Sequence, residues 1–513
     1  MDIKHAKEEI KNTIEAYLLK NAYGEYVIDS VHQRPVLLMG PPGIGKTQIM
    51  EQIARECRIG LVAYTITHHT RQSAVGLPFI KEKEYGGRTF SVTEYTMSEI
   101  IASIYDCMER TGCAEGILFI DEINCVSETM APMMLQFLQC KTFGNQKVPE
   151  GWIIVAAGNP PEYNRSVREF DVVTLDRVKR INVEPDFDVW KEYAYQERIH
   201  GAIISYLDIK RGSFYCIEKT IDGMNIATPR GWEDLSNIMA VYEKLGKSID
   251  ANVVIQYIQH PMIAKDFANY LELYRKYYTD YKIDSVLAGS YDTSAVSRLH
   301  FAEFDERMSV VGLLISALSV HFAEAFIEDK AVTQVFAVLR SVQQQIGSSS
   351  LDADLAERAV LQERARLDNA LAADEAAVRL AGADVEAQHR VLAALGAMAE
   401  CARKNAFDGV REEFYRRTDA RQALIDKISR ELDNAYDFLE AAFGQGQELV
   451  LFTAELAAGY YSAWFIDENG CDRFYMYNKG LLFSQRHREI SAEIETAQEM
   501  MAGADLKIRQ QEV

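Results

Sequence analysis

Gly40-Pro41-Pro42-Gly43-Ile44-Gly45-Lys46-Thr47 carries the densest chemistry in the chain. It follows an apolar run at 35–39 and precedes a helical stretch that opens with Gln48, the strand-loop-helix setting in which such a loop binds phosphate. Its glycines let backbone N–H groups turn inward onto phosphate oxygens, and the amino end of the next helix adds partial positive charge. Lys46 is expected to bridge the β- and γ-phosphates of ATP, and the Thr47 hydroxyl to ligate Mg2+. Gly40, Pro41, Pro42, Gly43, Ile44, Gly45, Lys46, Thr47 and Gln48 form the expected nucleotide-binding set. A functionless Gly/Pro turn does not account for the whole pattern in this setting.

A second apolar run, 116–120, delivers Asp121 and Glu122. Their expected jobs differ. Asp121 holds the metal through its water shell, and Glu122 orients and deprotonates the attacking water, because hydrolysis needs a base within one hydrogen bond of the nucleophile. A third run, 152–157, ends in Gly158-Asn159-Pro160-Pro161. The Asn159 amide can hold the lytic water and touch the γ-phosphate at once. Alone, an Asn-Pro pair marks a turn; its place after a strand that follows the other two motifs favours the functional reading.

Such motifs work only if a scaffold brings them to one edge. Residues 1–185 alternate short apolar runs with amphipathic stretches, the pattern of an α/β layer, with strands expected at 35–39, 60–65, 116–120, 151–157 and 178–183. In a five-stranded parallel sheet the three motifs share the carboxyl edge, where ligands bind. Residues 186–290 read as a helical lid interrupted around 214–226, and 291–513 as a mostly α-helical extension, a bundle or a helical hairpin. All eleven prolines lie between Pro35 and Pro261, which leaves the rest free for long helices. Ser348–Ser350 is the expected hinge, and the seven-residue column Leu371, Val378, Val385, Leu392 lacks the second apolar column that a coiled coil needs.

Together these residues resemble the AAA+ ATPases, P-loop proteins, and within them the MoxR-like group, over roughly residues 30–285. The resemblance rests on the two nucleotide motifs, Asp121-Glu122-Ile123-Asn124, the sensor-1-like Asn159, Leu175-Asp176-Arg177, and Thr228-Pro229-Arg230, which is similar to the sensor 2 motif of the lid. It implies a ring, usually a hexamer, with ATP at subunit junctions. Cations from a neighbouring subunit would then stabilise charge spread over the γ-phosphate oxygens. Arg177 is the first choice for that finger and Arg180 the reserve, while Arg230 would report γ-phosphate loss as lid movement, on its own nucleotide or its neighbour's. Cys125 stands where many MoxR-like proteins carry Arg, and the chain beyond about residue 300 matches no motif.

Residues 79–92 read as a hairpin turning at Tyr85-Gly86-Gly87-Arg88, followed by a helix at 98–108. It resembles the helix-2 insertion that faces the channel of MoxR-like rings, which implies that Tyr85 and Arg88 contact a client; a surface hairpin without a partner is the alternative reading. His68-His69-Thr70-Arg71 lacks the further ligands of a metal site. Tyr270, Tyr274, Tyr277 and Tyr281 share a helical face, which reads as a packing stripe rather than a base-stacking platform. Leu449, Phe452, Leu456, Tyr460 and Ala463 read as one helix, and Phe474, Tyr477 and Leu481 as a second after Asn469-Gly470, with a hairpin turning at that dipeptide as the alternative.

The chain has 513 residues, 55 Lys+Arg and 76 Asp+Glu, a formal charge of −21 that argues against a nucleic-acid partner. Residues 301–513 hold −14 of it, an attractive dock for a basic surface. Eight cysteines without Cys-x-x-Cys spacing fit free thiols in a reducing cytosol, and residues 1–20 lack the apolar centre of a secretory signal. The apolar stretch 308–326 is broken by Ser, Gly, His and Glu and reads as a buried helix, not a membrane span. The expectation is a cytoplasmic ATP hydrolase that remodels or matures a protein client, with a von Willebrand factor A-type partner implied by the resemblance. The rivals are a nucleic-acid-directed motor and an ATP-controlled scaffold without significant turnover.

Overall fold

The computed structural model describes residues 1–66, 76–126, 130–143, 146–163, 170, 172–220, 223–346, 352–376 and 380–479. The expected hinge at Ser348–Ser350, the 68–71 segment, Val378 and Leu481 lie outside them. The described residues gather into two compact units. One comprises 1–191, 211–264 and 335–410; the other comprises 192–210, 265–334 and the described residues from 411 on. Neither follows a linear boundary, because the helices Phe304–Ile346 and Gly382–Phe443 each begin in one unit and end in the other. Residues 335–410 of the expected extension thus belong with the sheet.

In the first unit the five expected strands are present: β1 Val36–Met39, β2 Gly60–Thr65, β3 Gly116–Asp121, β4 Trp152–Gly158 and β5 Lys179–Asn182. They form one sheet in the order β2-β3-β4-β1-β5, and every pairing is parallel. The central strands β3 and β4 are buried almost throughout, which is why they read as unbroken apolar runs. Side chains alternate between the two faces. Leu37, Leu118, Ile120, Ile154 and Ala156 share a core with Ile100, Ile101 and Ile104 of the helix Glu99–Thr111. Val36, Leu38, Ile117, Phe119 and Val155 share the other with Ile49, Met50 and Ile53 of Lys46–Cys57 and Ile10 and Ile14 of Ile3–Leu18. Each large side chain buried this way contributes about 1.5–3 kcal/mol.

The expected hairpin pairs Pro78–Tyr85 with Arg88–Tyr95 in antiparallel register. Gly86 and Gly87 form its two-residue turn with φ of +58° and +79°, the primed geometry that matches strand twist. Phe79, Ile80, Tyr85 and Phe90 are exposed along it. The interruption expected at 214–226 is a second hairpin, Cys216–Thr220 with Gly223–Ala227.

The second unit is helical. Tyr274 and Tyr281 are buried, and Tyr270 packs at a tilt against Tyr206 while sharing hydroxyl contacts with Ser205 and Ser309, so the tyrosine stripe is packing. Within Phe304–Ile346, which by length and composition alone could cross a membrane, 56% of the most apolar 18-residue window is buried. The run expected to be one helix over 449–463 is two, Gln447–Ala458 and Tyr460–Asn469, bent by 91°. Ser462 explains the break. Its Oγ donates to the Leu456 carbonyl at 2.7 Å and to the Gly459 carbonyl at 3.0 Å, the latter also accepting from the Ala463 N–H at 2.9 Å, so the hydroxyl ties the end of one helix to the start of the next.

Candidate nucleotide site

β1 ends at Met39 beside β4 and β5, and the loop 40–47 leaves the sheet there. Gly40 donates to the Gly158 carbonyl at 3.3 Å, and a Cβ at residue 40 would lie 2.7 Å from the Val183 carbonyl oxygen. Only glycine permits that approach. Gly43 and Gly45 have φ of +78° and +90°, conformations that turn the loop inward before the helix Lys46–Cys57 begins.

Lys46 is buried, and its Nζ donates to the carbonyls of Gly40 and Pro41 at 2.9 and 2.8 Å and to Asn159 Oδ1 at 2.9 Å. Burial pushes its pKa down to about 8; Asp121 opposes the drop, Arg230 adds to it and Glu122 opposes it. The loop lysine therefore feels the charge of both carboxylates and of Arg230. The sheet topology and these contacts bring together residues far apart in sequence.

Thr47 Oγ1 donates to Asp121 Oδ2 at 3.1 Å, and the Glu122 N–H donates to Asp121 Oδ1 at 2.9 Å, so both carboxylate oxygens are held. Glu122 has φ of +54°, a left-handed conformation that costs a non-glycine residue roughly 1–2 kcal/mol. The turn is locked by Ile123 N–H donating to the Ala157 carbonyl at 2.9 Å. Strain of this kind, held by its surroundings, is typical of functional positions.

The role of Asn124 was not legible in the sequence. It is buried; its Nδ2 donates to the Asn159 carbonyl at 2.8 Å and its Oδ1 accepts from the Asn159 N–H at 3.3 Å. A Cβ at Gly158 would lie 2.8 Å from Asn124 Oδ1, so a glycine there makes room for the clasp.

The helix Pro229–Lys244, in the expected lid, starts against the loop 40–47. Thr228 caps it by accepting from the Gly231 N–H at 3.3 Å, and the Arg230 N–H donates to the Gly43 carbonyl at 3.2 Å. Gln48 Nε2 donates to both Glu233 carboxylate oxygens, at 3.2 and 3.1 Å, so this expected nucleotide-binding residue also ties the loop helix to the lid. Arg177 ends the short helix Val172–Arg177 and donates to Gln139 Oε1; Arg180 lies on β5 and donates to Asn182 Oδ1 at 2.8 Å. Both are exposed, and among the described residues neither is hydrogen-bonded to the loop, Asp121 or Glu122.

The set fits a magnesium-bound triphosphate: a buried cation with a second cation near it calls for an anion, and the Thr47 and Asp121 oxygens are the hard donors Mg2+ prefers. Bound Mg2+ would supply charge neutralisation on the phosphate oxygens. Residues 36–175 match the family described as "ATPase family associated with various cellular activities (AAA)". The chain carries an AAA ATPase domain. It is a hydrolase domain, and it contains Lys46, Thr47, Asp121, Glu122 and Asn159, whereas Arg177 and Arg230 lie beyond the matched span. Similar solved structures include two mutant forms of Thermotoga maritima RuvB, 16% and 17% identical, with TM-scores of 0.29 and 0.27. Each alignment covers 50% of this chain and 69% of the RuvB chain. No curated protein matches the chain.

Proposed function

We propose that the AAA domain drives a MoxR-like ring, a hexamer, that couples Mg2+-dependent ATP hydrolysis to remodelling or maturation of a protein client in the cytoplasm. The observation that carries the client reading is the hairpin Pro78–Tyr85/Arg88–Tyr95, inserted between β2 and β3 and presenting Phe79, Ile80, Tyr85 and Phe90 to solvent. Exposed apolar and aromatic side chains suit a polypeptide, and a chain of charge −21 is a poor match for a phosphate backbone. A von Willebrand factor A-type partner fits the same reading.

In this reading Lys46 holds the β- and γ-phosphates, Thr47 and Asp121 hold the metal, and Asn159 positions the attacking water. Glu122 takes a proton from that water as its oxygen bonds to the γ-phosphorus and the bond to the β-phosphate oxygen breaks. Arg230 acts on the nucleotide of its own chain, a role supported by its effect on Lys46. Arg177, exposed at a helix end, serves a neighbour's nucleotide.

The Glu122→Gln protein, purified with ATP, tests the proposal. It should assemble, retain ATP and carry a client protein through purification. Retention of DNA or RNA instead, with nucleic-acid-stimulated turnover in the unmodified chain, would overturn the client assignment while leaving the ATPase intact.

A further inference from the structure

Cys216 and Glu218 alternate on the first strand of the hairpin Cys216–Thr220/Gly223–Ala227, so both side chains leave the same face. His260 approaches that face from elsewhere in the sequence, because Ile226 donates to the Gln259 carbonyl at 3.0 Å and fixes the neighbouring residue against the hairpin. The thiol sulfur, a carboxylate oxygen and an imidazole nitrogen all lie within 4.8 Å of one another. His260 is 2% exposed. Its Nε2 stands 3.5 Å from Glu218 Oε2, and its Nδ1 accepts from the Ile263 N–H at 3.4 Å. Both contacts are long, and neither ring nitrogen has a closer hydrogen-bonding partner among the described residues.

We infer that Cys216, Glu218 and His260 form a zinc site separate from the magnesium site. Sulfur, nitrogen and carboxylate oxygen are the donors that Zn2+ takes, and a thiolate with an imidazole selects against Mg2+ and Ca2+. Tetrahedral bonds of about 2.0–2.3 Å place ligand atoms roughly 3.3–3.8 Å apart, so modest side-chain rotations close the present spacing. Glu218 is half exposed, which leaves solvent access for water as a fourth ligand. Binding replaces the thiol proton of Cys216, which leaves to solvent. The imidazole proton moves to Nδ1, and the long Ile263 contact is given up. The register pairs Cys216 with Ala227, the residue before the lid cap Thr228, so the ion would staple the strand that leads into Arg230.

The full chain, metal-stripped, reduced and free of nucleotide, should take up one equivalent of Co2+ with a thiolate-to-cobalt absorption band that one equivalent of Zn2+ erases. Cys216→Ser should lose the band. Glu218→Gln, on the exposed side of the cluster, should keep it while weakening Zn2+ affinity about tenfold or more. Circular dichroism of both variants checks their fold. Absence of any cobalt–thiolate band in the unmodified chain overturns the site, and so does a band that survives in folded Cys216→Ser, which would report a different cysteine.

Discussion

The side-chain amide of Asn124 clasps the backbone of Asn159 from both ends, donating to its carbonyl and accepting from its N–H. Asn159 in turn accepts from Lys46 at 2.9 Å. A residue three positions past Asp121 thereby sets the height of the amide that faces Lys46.

Asn124→Ala should leave the two Asn159 backbone groups without this partner. The expected cost is about 1–3 kcal/mol of stability, and kcat for ATP should fall about tenfold or more while KM changes little. Thermal melts and phosphate-release kinetics on the same preparation check both. A loss confined to stability would reduce Asn124 to a structural residue.

Nucleotide affinity should weaken as pH rises through about 8. The free protein's Lys46 gives up its proton near there because burial disfavours the charge, whereas a bound triphosphate holds the proton on. Binding therefore takes up a proton above that pH, and Kd should rise by as much as about tenfold per pH unit. Titrations with a fluorescent nucleotide between pH 7 and 9.5 measure this limb. Arg230→Ala should move it to higher pH, because a neighbouring cation that lowers the Lys46 pKa has gone.

Glu122→Gln should keep nucleotide affinity and lose about 10²- to 10⁴-fold in turnover, the usual worth of a general base. Chelation of Mg2+ should abolish turnover in the unmodified chain. Single-turnover phosphate release separates these effects from slow product release.

Two glycines report separately on the lid. Gly43 and Gly45 both have positive φ, but a Cβ at Gly43 would meet Thr228 of the helix cap at 3.0 Å, whereas at Gly45 it would meet only the amide oxygen of Gln48 at 3.1 Å, which can turn aside while its nitrogen keeps Glu233. Gly45→Ala should cost only the backbone strain, about 1–2 kcal/mol. Gly43→Ala should cost more in nucleotide affinity, because the cap must also move. Paired equilibrium titrations of the two variants decide it.

The sheet was legible because β3 and β4 are covered on both faces, which forces unbroken apolar runs ending in polar motifs. The hairpin turn was legible in Gly86-Gly87, since only residues tolerant of positive φ fit it. The bend at Gly459 was hidden, because Phe452, Leu456 and Tyr460 keep helical spacing across it while the break depends on where the Ser462 hydroxyl finds its acceptors. Asn124 was visible as part of a motif but not as a clasp, since its partner lies 35 positions away. His260 was invisible as a neighbour of Cys216 for the same reason: a strand bridge, not sequence spacing, brings them together.

The interleaving of 1–191, 211–264 and 335–410 with the remaining pieces has a practical corollary. A fragment stopping at residue 290 would lack 76 residues that belong to the sheet's own unit, and a fragment starting there would lack 192–210 and 265–289 of the other. Limited proteolysis at a single exposed site therefore should not liberate an autonomous ATPase, and a cut between residues 290 and 291 should leave neither piece with a whole unit.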